Sequence, residues 1–182
     1  MKRSFLILML VFLAGSVAWT QENIVSLSGG YAFGKYIDAE TSATGWRING
    51  IYEFSPLGGK ISHGISFGVI STSGASEIPK ADYELNTWPI YYSLKGIFGE
   101  NNFKLFVKGS MGLHFSHYKR VAPTLEIDTN DSGFYGGASA GVLYYLKENI
   151  FLNVEYEWAY MSNTFYNNGM INSVMLGLGI QF

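Results

Sequence analysis

The sequence predicts an all-β chain: an eight-stranded antiparallel up-and-down β-barrel that crosses a membrane, preceded by an N-terminal signal peptide. Three observations predict it. Eight segments alternate apolar and polar residues with a period of two, the period of a strand whose side chains point to opposite faces in turn. The connections between them alternate long and short. The composition, with 22 glycines, 13 tyrosines and 13 phenylalanines against only 14% charged residues, is that of a β-rich wall facing apolar surroundings.

The chain opens with Lys2 and Arg3 and continues as an apolar run from Phe5 to Leu13. That run is too short for a spanning helix, which needs about 20 residues, and it has the pattern of a secretory signal. Small residues at Ser16 and Ala18 place cleavage after Ala18, and cutting after Thr20 fits almost as well. Residues 1–18 are thus read as signal peptide and 19–182 as one barrel domain. The chain has no cysteine, which rules out a lipid-modified N-terminal cysteine and any disulfide. Its formal charge of −2 becomes more negative once Lys2 and Arg3 leave, so no nucleic-acid partner is expected.

The first segment, Asn23 to Tyr36, sets Val25, Leu27, Tyr31 and Phe33 against Ser26, Ser28, Gly30 and Gly34. The second, Gly45 to Phe54, sets Trp46, Ile48, Tyr52 and Phe54 against Arg47, Asn49, Ile51 and Glu53. In the third, Lys60 to Ser71, Ile61, Ile65, Phe67 and Val69 oppose Ser62, Gly64, Ser66 and Gly68. The fourth, Tyr83 to Ile97, has Trp88, Ile90, Tyr92 and Leu94 opposite Thr87, Pro89, Tyr91, Ser93 and Lys95. Proline cannot donate to a ladder, so a bulge is expected at Pro89.

The fifth segment, Phe103 to Tyr118, is the cleanest: Phe103, Leu105, Val107, Met111, Leu113 and Phe115 face away from Lys104, Lys108, Ser110, Gly112, His114 and Ser116. The sixth runs from Ser132 to Leu146 and the seventh from Ile150 to Met161, the latter with Glu155 and Glu157 on its polar face. The eighth ends the chain with Val174, Leu176, Leu178, Ile180 and Phe182 against Ser173, Gly177, Gly179 and Gln181. The connections 37–44, 72–82, 121–131 and 162–170 read as long loops, and 55–59, 98–102 and 147–149 as short turns. Barrels of the outer membrane have short periplasmic turns and long outer loops, so the pattern puts both termini in the periplasm. Closure follows because hydrocarbon offers no partner to a free strand edge. Trp46, Trp88, Trp158, Tyr160 and Phe134 fall near the loop ends, while Phe54, Phe103, Tyr144 and Phe182 fall near the turn ends, giving two aromatic girdles.

With these segments in place, the whole mature length resembles the small outer-membrane barrel family typified by OmpA and OmpX. The resemblance implies residence in the cell outer membrane, contact with its lipid and lipopolysaccharide, and recognition by the barrel-assembly machinery. That family's assembly signal is a terminal aromatic preceded by alternate hydrophobics, and Phe182, Ile180, Leu178 and Leu176 match it.

Lumen-facing ionisable residues are Arg47, Glu53, Lys95, Lys104, Lys108, His114, Glu155 and Glu157. Eight strands leave room only for packed side chains, so these charges must pair across the interior. By height, Arg47 pairs with Glu157, Lys108 with Glu155, and Glu53 with Lys95 or Lys104. The result is a plugged structural core, with a narrow channel as the alternative.

Other motifs carry less. Gly29, Gly34 and Lys35 imitate a phosphate loop, but Tyr36 stands where a Ser or Thr should hold the metal, and the glycines lie inside a strand. His114 and His117 are three apart, hence on opposite faces, and His63 is isolated, so no metal or other cofactor is expected. Asn130-Asp131-Ser132 is a glycosylation sequon of little weight in a bacterial envelope.

The stretch Tyr160-Met161-Ser162-Asn163, with Asn168-Gly169 and Asn172-Ser173, resembles the C-terminal region of outer-membrane lipid A deacylases, which are also eight-stranded barrels. That resemblance implies Ser162 as a nucleophile. However, the family's histidine position holds Tyr160 and its acid position Asn172, so the triad is degenerate and no enzyme is expected. By height only His114, His117 and Glu157 are near, and of these His117 alone shares the lipid-facing parity. The loops 73–82, 120–131 and 162–170 remain as sites for a surface ligand.

Overall fold

A computed structural model describes residues 22–37, 41–56, 60–77, 80–162 and 165–182. The segment read as signal peptide lies outside them, as does Asn163. Eight strands follow in chain order: β1 Glu22–Tyr36, β2 Ser42–Ser55, β3 Ile61–Glu77, β4 Lys80–Phe98, β5 Phe103–Ala122, β6 Leu125–Lys147, β7 Ile150–Met161 and β8 Tyr166–Gln181. Each pairs antiparallel with its sequence neighbours, and β1 closes on β8. The seam is held to the last residue: Asn23 N–H donates to Phe182 O (2.9 Å) and Phe182 N–H to Asn23 O (2.8 Å).

Alternation decides what faces where. On the wall, Leu27, Ile65, Phe67, Met111, Leu113 and Leu176 are more than half exposed, whereas Arg47, Glu53 and Thr87 are fully buried in the interior. A soluble protein would bury the first set, and only an apolar solvent makes their exposure favourable.

Three of the expected long loops are mostly ladder. β3 runs on to Glu77 and β4 starts at Lys80, so 72–82 is a hairpin rather than a loop. β5 and β6 pair as far as Ala122↔Leu125, leaving only residues 123 and 124 as a turn where 121–131 was expected to be irregular. β8 begins at Tyr166, inside the expected loop 162–170. Strands need about 9–11 residues to span a bilayer. With 19, 20 and 23 residues, β4, β5 and β6 project far beyond that at the loop end.

The bulge expected at Pro89 is absent. β3 and β4 pair Phe67↔Ile90 and Ile70↔Thr87, one constant register, with the pairing lapsing only between them. One donor is missing, but no residue is inserted. Gly68 sits opposite the proline, and a Cβ there would fall 3.4 Å from Pro89 Cγ, 3.0 Å from Asn49 Oδ1 and 3.2 Å from Ile48 O. Gly68→Val is therefore expected to cost about 1–3 kcal/mol through overpacking, read as a lowered urea midpoint in phospholipid vesicles. An unchanged midpoint would show that the ring does not need the glycine. Register shifts occur instead at Gly34/Tyr36 of β1 and Tyr145/Lys147 of β6.

Candidate functional site

The interior is stacked in layers. At the turn end Ile24, Phe106, Leu143, Tyr145 and Phe151 form an apolar cluster. Above it the Lys95 ammonium meets the Glu53 carboxylate, with Lys95 Nζ 5.2 Å from the Phe106 ring centre. Lys104, the alternative partner for Glu53, instead lies over the Tyr145 ring at 4.5 Å. Higher still Lys108 Nζ is 2.6 Å from Glu155 Oε1.

The next layer centres on Arg47, whose Nη1 is 3.0 Å from Glu157 Oε1. Arg47 Nη2 donates to the hydroxyls of Tyr135 (2.9 Å) and Tyr91 (3.3 Å), and the Tyr135 hydroxyl donates to the Glu157 carboxylate. The Tyr91 and Tyr135 rings stack at 4.8 Å. Each charge thus has a counter-charge and neutral hydrogen-bond partners, the arrangement needed to offset desolvation at zero exposure. The two tyrosines complete the layer. Parity in the sequence puts Tyr91 in the lumen; Tyr135 is not among the lumen residues read from the sequence, and its odd-numbered position beside Gly133 and Gly137 is the signal that marks it.

Above the charges comes a small polar relay: Thr87 Oγ1 and Ser116 Oγ lie 2.9 Å apart, and His114 Nδ1 is 3.0 Å from Ser116 Oγ. The loop end is then closed by an apolar, tyrosine-rich plug that includes Tyr36, Ile70, Tyr83, Leu85, Tyr118, Met161 and Tyr166. Thr72 Oγ1 ties its centre, 3.0 Å from Tyr36 Oη and 2.9 Å from Tyr166 Oη. Tyr118 of β5 stacks on Phe165 at 4.5 Å. This plug was not foreseen.

Ser162 has a local job at the end of β7. Its N–H donates to Phe134 O (2.9 Å) and its Oγ accepts from Phe134 N–H (2.7 Å), so it clips the last rung of the β6–β7 ladder. Of the three groups near in height, Glu157 is held by Arg47, and His117 turns outward to Asn130 Oδ1 (3.0 Å). His114 comes nearest: a Cβ on Gly133 would fall 2.5 Å from Ser162 Oγ and 3.0 Å from His114 Nε2. Its other nitrogen faces the Ser116 hydroxyl, where a triad would have a carboxylate.

Beyond the upper girdle the outer faces of β4, β5 and β6 turn polar in rows. Asn86, His117 and Asn130 share one rung, Glu84, Lys119 and Asp128 the next, and Asp82, Val121 and Glu126 the last. Lys119 Nζ lies 3.0 Å from Glu126 Oε1, and this bond holds its pKa above the ordinary lysine value.

Comparison with known proteins decides the family. The profile of the outer membrane protein β-barrel domain matches residues 4–182. The chain belongs to this outer-membrane β-barrel family. It resides in the outer membrane, and its apolar wall is the lipid-facing surface. No curated protein sequence matches it. Among solved structures it is similar to Neisserial surface protein A, with a TM-score of 0.67 at 14% identity over 88% of this chain and 97% of that one. It is also similar to Ail, the attachment invasion locus protein of Yersinia pestis, with a TM-score of 0.53 at 17% identity over 88% and 99%. The outer membrane enzyme PagL gives a TM-score of 0.51 at 15% identity over 85% and 98%. At these identities the likeness is one of fold, shared by an enzyme and by surface proteins alike, so function must come from the residues themselves.

Proposed function

We propose that the protein is a sealed, non-catalytic barrel that stabilises the outer membrane and meets partners through its projecting strands. The observation that carries this reading is the layered interior, with paired charges between an apolar cluster at the turn end and a tyrosine plug at the loop end. A narrow channel needs a continuous wet path, which the two apolar layers interrupt. A deacylase needs a base oriented by an acid beside Ser162, whose hydroxyl instead serves the β6 main chain.

Lipopolysaccharide is the natural neighbour of the upper girdle, where Trp46, Trp88, Trp158 and Phe134 face outward. The outward Leu176, Leu178 and Ile180, with Phe182 after them, would serve as the signal read by the barrel-assembly machinery. Ail has been solved with the heparin analogue sucrose octasulfate, a polyanion. The outer face of this chain's projecting hairpins sets five acids, Glu77, Asp82, Glu84, Glu126 and Asp128, against Lys80 and Lys119 and so suits a cationic partner instead.

Two measurements test the proposal together. Purified protein in planar bilayers is expected to show no discrete conductance, and lipid A from overexpressing cells is expected to keep all its acyl chains by mass spectrometry. Steady single-channel steps, or loss of an acyl chain that Ser162→Ala abolishes, would overturn it.

A further inference from the structure

β5 and β6 remain paired up to Ala122↔Leu125, but β7 leaves β6 at Tyr135↔Met161, with Ser162 adding one rung at Phe134. Residues Leu125 to Gly133 of β6 therefore have no strand on their far side among the described residues. In an antiparallel strand alternate residues send both N–H and C=O to the same side. Phe134 bonds toward β7, so Ser132, Asn130, Asp128 and Glu126 present their main chains to the open edge. The lowest of these is capped, since Ser132 N–H donates to Asp131 Oδ1 (2.8 Å). Asn130, Asp128 and Glu126 are left with three N–H and three C=O groups at ladder spacing, facing outward at the cell surface.

We infer that this β6 edge binds an extended basic segment of another polypeptide, which adds as a strand beside Glu126, Asp128 and Asn130. Strand addition takes affinity from the main-chain bonds and specificity from alternate side chains. Here the alternate outward side chains are Glu126 and Asp128, 59% and 54% exposed, with Asp82 and Glu84 two strands away and Lys119 the cation between them. A strand with Lys or Arg at every second position places its charges against these acids. A second copy of the chain does not fit. Two barrels inserted the same way in one membrane, meeting at equal height, would set Asp128 beside Asp128, and like charges directly opposite destabilise a pair.

The inference deepens the surface-contact part of the proposed function and stands apart from the sealed lumen. A conducting or lipid-cleaving barrel leaves the peptide result intact, and a failed peptide titration leaves the lumen reading intact. The test is titration calorimetry of the protein in lipid nanodiscs with a ten-residue peptide alternating Lys and Val. Its two controls are a twin methylated on alternate backbone nitrogens and a peptide alternating Glu and Val. Both controls are expected to bind at least about tenfold more weakly than the lysine peptide.

Asn130→Pro removes one edge N–H and keeps the main-chain ladder to β5, losing besides only the exposed side-chain bond between His117 Nδ1 and Asn130 Oδ1. It is expected to weaken binding by a similar factor while the β-sheet circular dichroism is unchanged. Lack of binding by the lysine peptide at low salt would sink the inference. So would equal binding by the methylated twin, which keeps the charges and loses only the ladder bonds, and this arm stands even where the proline variant does not fold.

Discussion

Glu157→Ala is expected to destabilise the barrel by about 3–5 kcal/mol, the cost of stranding a buried charge. Arg47 is fully buried, and its guanidinium would be left with the Tyr91, Tyr135 and Ser173 hydroxyls and no carboxylate. Tyr135 would also lose the acceptor of its own hydroxyl. Relief comes from removing both charges, because apolar residues of similar volume avoid the desolvation that the ion pair only offsets. Arg47→Met combined with Glu157→Leu is thus expected to recover more than half of the loss. Equilibrium urea unfolding in phospholipid vesicles reads both variants. Equal destabilisation of the single and double variants would mean that shape, not charge pairing, holds this layer.

The partners in that layer were legible in the sequence only as far as parity and height allow. Arg47 and Glu157 both fall on lumen-facing positions near the upper ends of their strands, and counting residues from the girdles brings them level. The hydroxyls that complete the site were less visible, because a tyrosine at a lumen-facing position reads as an aromatic before it reads as a donor. Lys104 shows the limit of height alone: it could have met Glu53, but it sits four residues along β5 from Lys108, the register partner of Lys95, and lies over Tyr145.

The fold was legible where lipid enforces the pattern and illegible where lipid stops. Along β4, Trp88, Ile90, Tyr92 and Leu94 face outward and Tyr91, Ser93 and Lys95 inward. Below residue 87 in number the phase inverts, with Ala81, Tyr83 and Leu85 buried inside and Asp82 and Glu84 exposed outside. β5 does the same beyond Phe115, where His117 and Lys119 take the outer face and Tyr118 the inner one. The ladder continues through this inversion because the projecting strands now have water outside and a plug within. A reading that follows one apolar face registers the inversion as the end of the strand, which is why the hairpins looked like loops. The β6 edge was hidden for the same reason, since an edge exists only where one strand outlasts its neighbour.

Phe151→Ala is expected to cost about 3–5 kcal/mol, in the range for truncating a buried aromatic. Phe151 is 1% exposed and packs with Tyr145 in the cluster at the turn end, their ring centres 5.3 Å apart. Its ring lies flat on Gly179 of β8, its register partner, where a Cβ would fall 2.6 Å from Cε2 and 2.7 Å from Cε1, with Cζ closer still. The nearest obstacles to a side chain at 179 are all atoms of this one ring, so the two positions share one volume. Gly179→Val alone is therefore expected to be destabilising by overpacking, about 1–3 kcal/mol. Combined with Phe151→Ala, however, the valine fills part of the space the ring leaves. The double variant should then be more stable than the sum of the two losses predicts, by about 0.5–3 kcal/mol. Urea unfolding of the four proteins in vesicles closes the cycle. Strict additivity would show that the ring and the glycine are independent, and that the turn-end cluster is looser than its packing implies.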